Sequence, residues 1–206
     1  MEKMVFIGAG SHFHSVLDSY DYAYEIAGVL DNLLEVGTTI EDIPVLGGFA
    51  LIPELANKGI RYVFISIGDL GLRKKLLLEC TKYDLKLISI IDPTAIISKR
   101  AQLRSGVFVG KGAIVNAYVT IGKASIINSG SVVEHDCTIG SNVHIAPNAT
   151  LCGTVTVQDD SFVGAGSVVL PGIKIGKEAI VGANATVLED VLYQSKVVGS
   201  PARSIV

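Results

Sequence analysis

The sequence predicts two fold classes in one chain: an α/β unit over residues 1–92 and a parallel β-solenoid over residues 93–206. Three observations carry this. Apolar strand-type runs alternate with helical patterns as far as Pro93. From Ile97 onward an aliphatic residue returns at every sixth position. The 206 residues include 22 glycines and no tryptophan, a composition suited to many tight turns around a core of small side chains.

In the first unit, MVFIGAG is an apolar strand that ends in glycines, and SHFHSVLDSYD supplies the helix after it. YEIAGVLDN reads as a second strand and RYVFISIG as a third. LGLRKKLLLECTKY follows as a helix, on which Arg73, Lys74 and Lys75 read as a solvated face. KLISIID closes the unit as a short fourth strand. Apolar strands alternating with helices imply a parallel sheet with right-handed crossovers, here a truncated, Rossmann-like doubly wound unit.

In the second unit the sixth-residue series runs Ile97, Leu103, Val109, Val115, Ile121, Ile127, Val133, Ile139, Ile145, Leu151, Val157, Val163, Val169, Ile175, Val181, Val187. Ile, Leu and Val make up only about a third of the chain, so an unbroken series is not chance. The position two before is small, as in Ala95, Ala101, Ala113, Ser125, Ser131 and Cys137. Gly or Asn often follows the aliphatic, as at Gly110, Asn116, Gly122 and Asn128. A short fixed period of this kind is a hexapeptide repeat and signals a solenoid. One aliphatic per six residues suits a three-sided coil of eighteen, with short strands on the flat sides and Gly or Asn at corners that need positive φ.

Bulk properties exclude several functions. Net charge is −3 and the basic residues do not cluster, so no nucleic-acid or anionic-membrane partner is expected. No apolar run approaches the roughly 20 residues that span a bilayer. MEKMVFIGAG enters a strand pattern directly, without a separate cleavable signal. Cys80, Cys137 and Cys152 are odd in number and lack metal-type spacing, which suits a reduced, cytoplasmic protein.

Within the repeat, SVVEHDCTIGSNVHIAPN holds His135 between Glu134 and Asp136, and His144 nine residues later. An imidazole takes a proton near neutrality, and a carboxylate can fix its tautomer and stabilise the imidazolium. The sequence leaves open whether Glu134 or Asp136 does so. Nine residues is half a coil, so the two histidines should leave one chain from different sides and meet only across subunits. Cys137 and Cys152 occupy packing positions. Near the N-terminus, Gly8-Ala9-Gly10-Ser11-His12 opens the first helix as a phosphate-type loop, though Phe13 stands where a dinucleotide fingerprint has its third glycine. Asp31 at the end of strand two could accept hydrogen bonds from ribose or base.

The short GAG-containing domain, SVVEHDCTIG, VHIAPNATLCG and the terminal VVGSPAR together resemble the bacterial sugar O/N-acyltransferases of the sialic-acid O-acetyltransferase (NeuD) and PglD type, over essentially the whole chain. The resemblance implies a left-handed β-helix, a handedness that spacing alone does not fix, and a homotrimer with active sites between subunits. It implies acetyl-CoA as co-substrate, with no metal. His135 would be the catalytic base and Asp136 its partner, at a place where the family usually carries Glu. His144 would lie near the thioester, the Gly153 backbone N–H would face the acetyl carbonyl, and Gly164, Ala165, Gly182 and Ala183 would line the CoA arm. Gly10, Ser11, His12, Asp31, Asn32, Ile67, Gly68 and Asp69 would hold a nucleotide sugar, Asn32 standing where the pattern has an acid.

The expected reaction is N-acetylation of a UDP-linked 4-amino sugar in surface glycan biosynthesis, with GDP- or dTDP-linked amino sugars close behind. The alternatives are O-acetylation of sialic acid or another sugar hydroxyl, and a non-catalytic scaffold. A carbonic anhydrase on the same solenoid needs three zinc-binding histidines per site, whereas this repeat holds two.

Overall fold

A computed structural model describes residues 1–21 and 23–205. The chain divides into two compact units, Met1–Ile90 and Ile91–Val206.

The first unit is built on a six-stranded sheet. Its elements are β1 (Lys3–Ile7), α1 (Ser11–Asp18), β2 (Glu25–Leu30), β3 (Thr39–Ile40), β4 (Ile43–Gly47), α2 (Ile52–Leu55), β5 (Tyr62–Ile65), α3 (Leu70–Lys82) and β6 (Lys86–Leu87), in sheet order β3-β4-β2-β1-β5-β6. β1, β2, β4, β5 and β6 pair in parallel. β3 and β4 form an antiparallel hairpin that the apolar pattern did not suggest. Val5, Ile7, Leu30, Val63 and Ile65 face a core completed by Ile52, Leu76 and Cys80. Phe13, the residue that breaks the glycine fingerprint, is fully buried and meets Phe6 edge-on at 5.3 Å. Burial of such a ring contributes about 1.5–3 kcal/mol, which accounts for its place here without any ligand.

KLISIID is not one strand. Lys86–Leu87 pairs with β5, whereas Ile90–Ile91 lies in the first sheet of the solenoid. Arg73 departs from the solvated-face expectation as well. It is 1% exposed, and its guanidinium donates to the Ile67 and Gly68 carbonyls, both at 3.0 Å. The loop before α3 thus wraps a cation that helical periodicity assigned to solvent.

The second unit is a parallel β-helix with three flat faces. Strands such as Ile126–Ile127, His144–Ile145 and Phe162–Val163 stack on the first face. Val132–Val133 and Thr150–Leu151 stack on the second, and Thr138–Ile139 and Thr156–Val157 on the third. Partners are eighteen residues apart, so Val133, Ile139, Ile145 and their equivalents form one continuous buried column, with Ile97 and Leu103 half-buried at its start. The small position faces inward too. Buried serines there keep their hydroxyls bonded, as Ser125 does to the Gly140 carbonyl at 2.8 Å and Ser131 to the Asn128 carbonyl at 2.7 Å.

The corners differ from the expectation in one respect. The glycine after each aliphatic does not supply the positive φ. At Gly122 a Cβ would lie 2.4 Å from the Gly140 carbonyl carbon, so that glycine permits close stacking of successive coils. The left-handed residue comes two positions later, at Gly112, Tyr118, Ala124, Gly130, Asp136, Asn142 and Asn148.

Candidate active site

His135 and Asp136 form the corner between the second and third faces, where the chain turns from Val132–Val133 to Thr138–Ile139. Asp136 is the left-handed residue of that corner, with φ +60°. This conformation brings its carboxylate beside the preceding side chain, and His135 Nδ1 lies 2.8 Å from Asp136 Oδ2. Glu134 instead accepts from the His135 backbone N–H at 3.4 Å. The two side chains of the pair are 59% and 52% exposed, so the imidazole is open to an incoming molecule.

Gly153 occupies the same corner one coil later, where the Thr154 N–H bonds to the His135 carbonyl at 2.9 Å. A Cβ on Gly153 would stand 2.7 Å from Cε1 and 2.8 Å from Nε2 of His135. The missing side chain is the space in which the Cε1–Nε2 edge of the ring rests. With Nδ1 directed at the carboxylate, Nε2 is left to take a proton.

His144 lies elsewhere, half-buried on a strand of the first face. Its Nε2 is 3.2 Å from Asn128 Nδ2, and its ring meets Phe162 edge-on at 5.2 Å. One chain therefore presents the two imidazoles on different sides of the coil. Asn128 escaped the sequence reading because it looks like any other residue following an aliphatic. Its register with His144 was the available signal. Gly164-Ala165 and Gly182-Ala183 stack on each other at the corner after the first face. A Cβ on Gly164 would be 2.5 Å from the Ala183 nitrogen, so coil packing alone requires that glycine.

In the first unit, Gly10 caps α1 with extended backbone and no side-chain hydrogen bond, so the helix start is not capped by its own side chain. Ser11 is exposed and His12 half-buried. Burial, and secondarily the Arg73 guanidinium, lower the His12 imidazole to about 4, so it is neutral at physiological pH. Asp31 ties this loop down by accepting from Ala9 N and Leu33 N, both at 2.8 Å. Asn32 Oδ1 accepts from Phe49 N at 2.8 Å. Asp69 caps α3 by accepting from Leu72 N at 2.7 Å, beside half-buried Ile67 and Gly68. Each carries a structural hydrogen bond whatever else it binds. His14 sits 3.4 Å from the Glu41 carboxylate.

Burial raises the Cys137 thiol to about 11 and the Cys80 thiol to about 12, so both are protonated and poor nucleophiles at neutrality. No helix of the described residues is long and apolar enough to cross a membrane.

Comparison with known proteins agrees with this layout. Residues 3–79 match the PglD N-terminal domain, and residues 118–153 and 154–189 match the bacterial transferase hexapeptide family of six repeats. PerB from Caulobacter crescentus, solved in complex with CoA and GDP-perosamine, is 34% identical at a TM-score of 0.93, over 100% of this chain and 98% of that one. A histidine-to-asparagine variant of a perosamine N-acetyltransferase from the same organism has been solved with the same two molecules. The acetyltransferase domain of PglB from Neisseria gonorrhoeae, in complex with acetyl coenzyme A, is 27% identical at a TM-score of 0.92, over 99% of each chain. WeeI from Acinetobacter baumannii is 26% identical at a TM-score of 0.83, over 100% of both chains.

Proposed function

The chain belongs to the PglD-type bacterial sugar acetyltransferases, hexapeptide-repeat enzymes that use acetyl-CoA, and from that premise we propose that it N-acetylates a nucleotide-linked amino sugar with His135 as general base. The observation that carries the reading is the exposed imidazole at the solenoid corner, paired through Nδ1 with Asp136 at 2.8 Å and resting over Gly153.

The amine nitrogen of the acceptor attacks the thioester carbonyl, forming the C–N bond, and the C–S bond breaks as the tetrahedral centre collapses. His135 Nε2 takes the proton from that nitrogen and returns it to the departing sulfur, leaving an amide and free CoA thiol. Asp136 holds the tautomer and stabilises the transient imidazolium. The route needs no covalent enzyme intermediate, in keeping with the raised Cys137 thiol. The first unit holds the nucleotide through the Gly10-Ser11-His12 loop, where helix N–H groups favour phosphate. The likeness to an enzyme solved with GDP-perosamine favours trying a GDP-linked amino sugar alongside the UDP-linked one.

If His144 also approaches the thioester, it must come from another subunit, because one chain turns His135 and His144 to different sides. The reading therefore includes a homotrimer with sites between subunits. Separately inactive His135→Ala and His144→Ala chains, mixed and reassembled, should regain part of the activity.

Release of CoA thiol from acetyl-CoA, measured against GDP-, UDP- and dTDP-linked amino sugars, tests the assignment. It should occur with at least one of these and yield an N-acetyl product. Release only with free sialic acid or another sugar hydroxyl would replace N- by O-acetylation. No release with any acceptor would remove the reading.

A further inference from the structure

We infer that Tyr118, held in place by Arg100, is the platform on which the acceptor's pyranose ring lies while its amine faces His135. The inference rests on the acetyl-transfer reading above. Tyr118 has in its own coil the place that Asp136 has in the next, eighteen residues on, and the Asp136 N–H bonds to the Ala117 carbonyl at 3.0 Å. Neighbouring coils are spaced about 4.8 Å apart, so the phenol ring adjoins the imidazole–carboxylate pair on the side opposite Gly153.

Folding does not call for an aromatic ring there, since Tyr118 is exposed at its corner. Its φ is +62°, a conformation that bulky residues avoid. The corresponding place in other turns holds Gly112, Gly130, Asn142, Asn148 and Asn184 but also Ala124, Thr154 and Glu178, so positive φ belongs to the corner itself, and Tyr118 is the one aromatic residue among them. Nor does burial offset the cost, since Tyr118 is 60% exposed. What sets Tyr118 apart is a large ring left exposed beside the reactive pair, a surface open to a ligand.

Arg100, one coil earlier at the same corner, sets its guanidinium 5.8 Å from the centre of the Tyr118 ring. This cation–π contact limits how far the ring can swing. A pyranose offers a face of C–H groups that suits an aromatic surface. The phosphate on its anomeric carbon suits a guanidinium. The series Arg100, Tyr118, Asp136–His135 thus matches the order phosphate, sugar ring, reacting amine.

Kinetics of Tyr118→Asn, Tyr118→Phe and Arg100→Ala with GDP-, UDP- and dTDP-linked 4-amino sugars as acceptors test the platform. Asparagine accepts the left-handed backbone, so Tyr118→Asn should melt no lower than the natural protein. Its KM for the acceptor should rise about tenfold or more, with KM for acetyl-CoA within about twofold. Tyr118→Phe keeps the ring and should retain acceptor KM, whereas Arg100→Ala should raise it several-fold. An unchanged acceptor KM in Tyr118→Asn overturns the platform alone. So does an equal rise for both substrates, or a fall in the mass of the assembly, since either marks a packing role. No turnover by the natural protein overturns the acetyl-transfer reading, and the platform with it.

Discussion

The two units use their polar residues in opposite ways. In the first, Asp31, Asn32, Asp69 and Arg73 all lie around the expected nucleotide loop, and each holds a backbone segment of that unit in shape. In the solenoid, the residues that make the fold point inward as one aliphatic column, and the reactive pair stands outside it at a corner. Substitution in the first unit should therefore disturb binding and stability together. At the solenoid corner, chemistry should be separable from folding.

Gly153→Ala puts this separation under the greatest load. The new methyl would occupy the space of the His135 ring edge, and the exposed ring can swing outward to escape. We expect kcat to fall about 10- to 100-fold, because small misplacements of a catalytic group carry such costs. The melting temperature should barely move. A collapse of stability in this variant would erase the contrast between the units.

Asp31→Ala tests the other side. It strands the Ala9 and Leu33 amides that the carboxylate now accepts from, and the unit should lose about 1–3 kcal/mol in denaturant unfolding, with weaker nucleotide binding. A variant that lost binding at full stability would make the first unit as separable as the second.

His12 adds a pH dependence confined to the first unit. Its folded-state value of about 4 lies below the ordinary 6.5, so the unfolded chain binds the proton more readily between these limits. Its contribution to stability is full above about 6.5 and is lost as pH falls toward 4. Thermal melts across that window should show the loss, and His12→Asn should flatten it. The smallest effect belongs to Cys137→Ala, a change at an inward small position. Steady-state assays should find kcat within about twofold of the natural protein, since the thiol takes no part in transfer.

The solenoid was far more legible in the sequence than the first unit, for a physical reason. Each coil packs only on its neighbours, so one period of six encodes both strand and core direction. In the first unit the β3–β4 hairpin pairs a strand of only two residues with one interrupted by Pro44, which hides both, and KLISIID carries no mark of where one sheet ends and the next begins. The corner glycines misled because glycine serves two needs, close stacking at Gly122 and left-handed backbone at Gly130. His135 was visible as a candidate, but the choice between Glu134 and Asp136 was not. It turns on which of them takes positive φ, a property of the coil and not of the residue. Arg73 and Tyr118 stayed hidden because their meaning lies in contacts across loops and coils.

The most direct test is acetyl transfer by His135→Ala to the nucleotide amino sugar, with acetyl-CoA affinity measured on the same sample. The account predicts a loss of at least about 100-fold in kcat, with CoA bound as tightly as before and the fold unmelted. Turnover within a few-fold of the natural protein would contradict it.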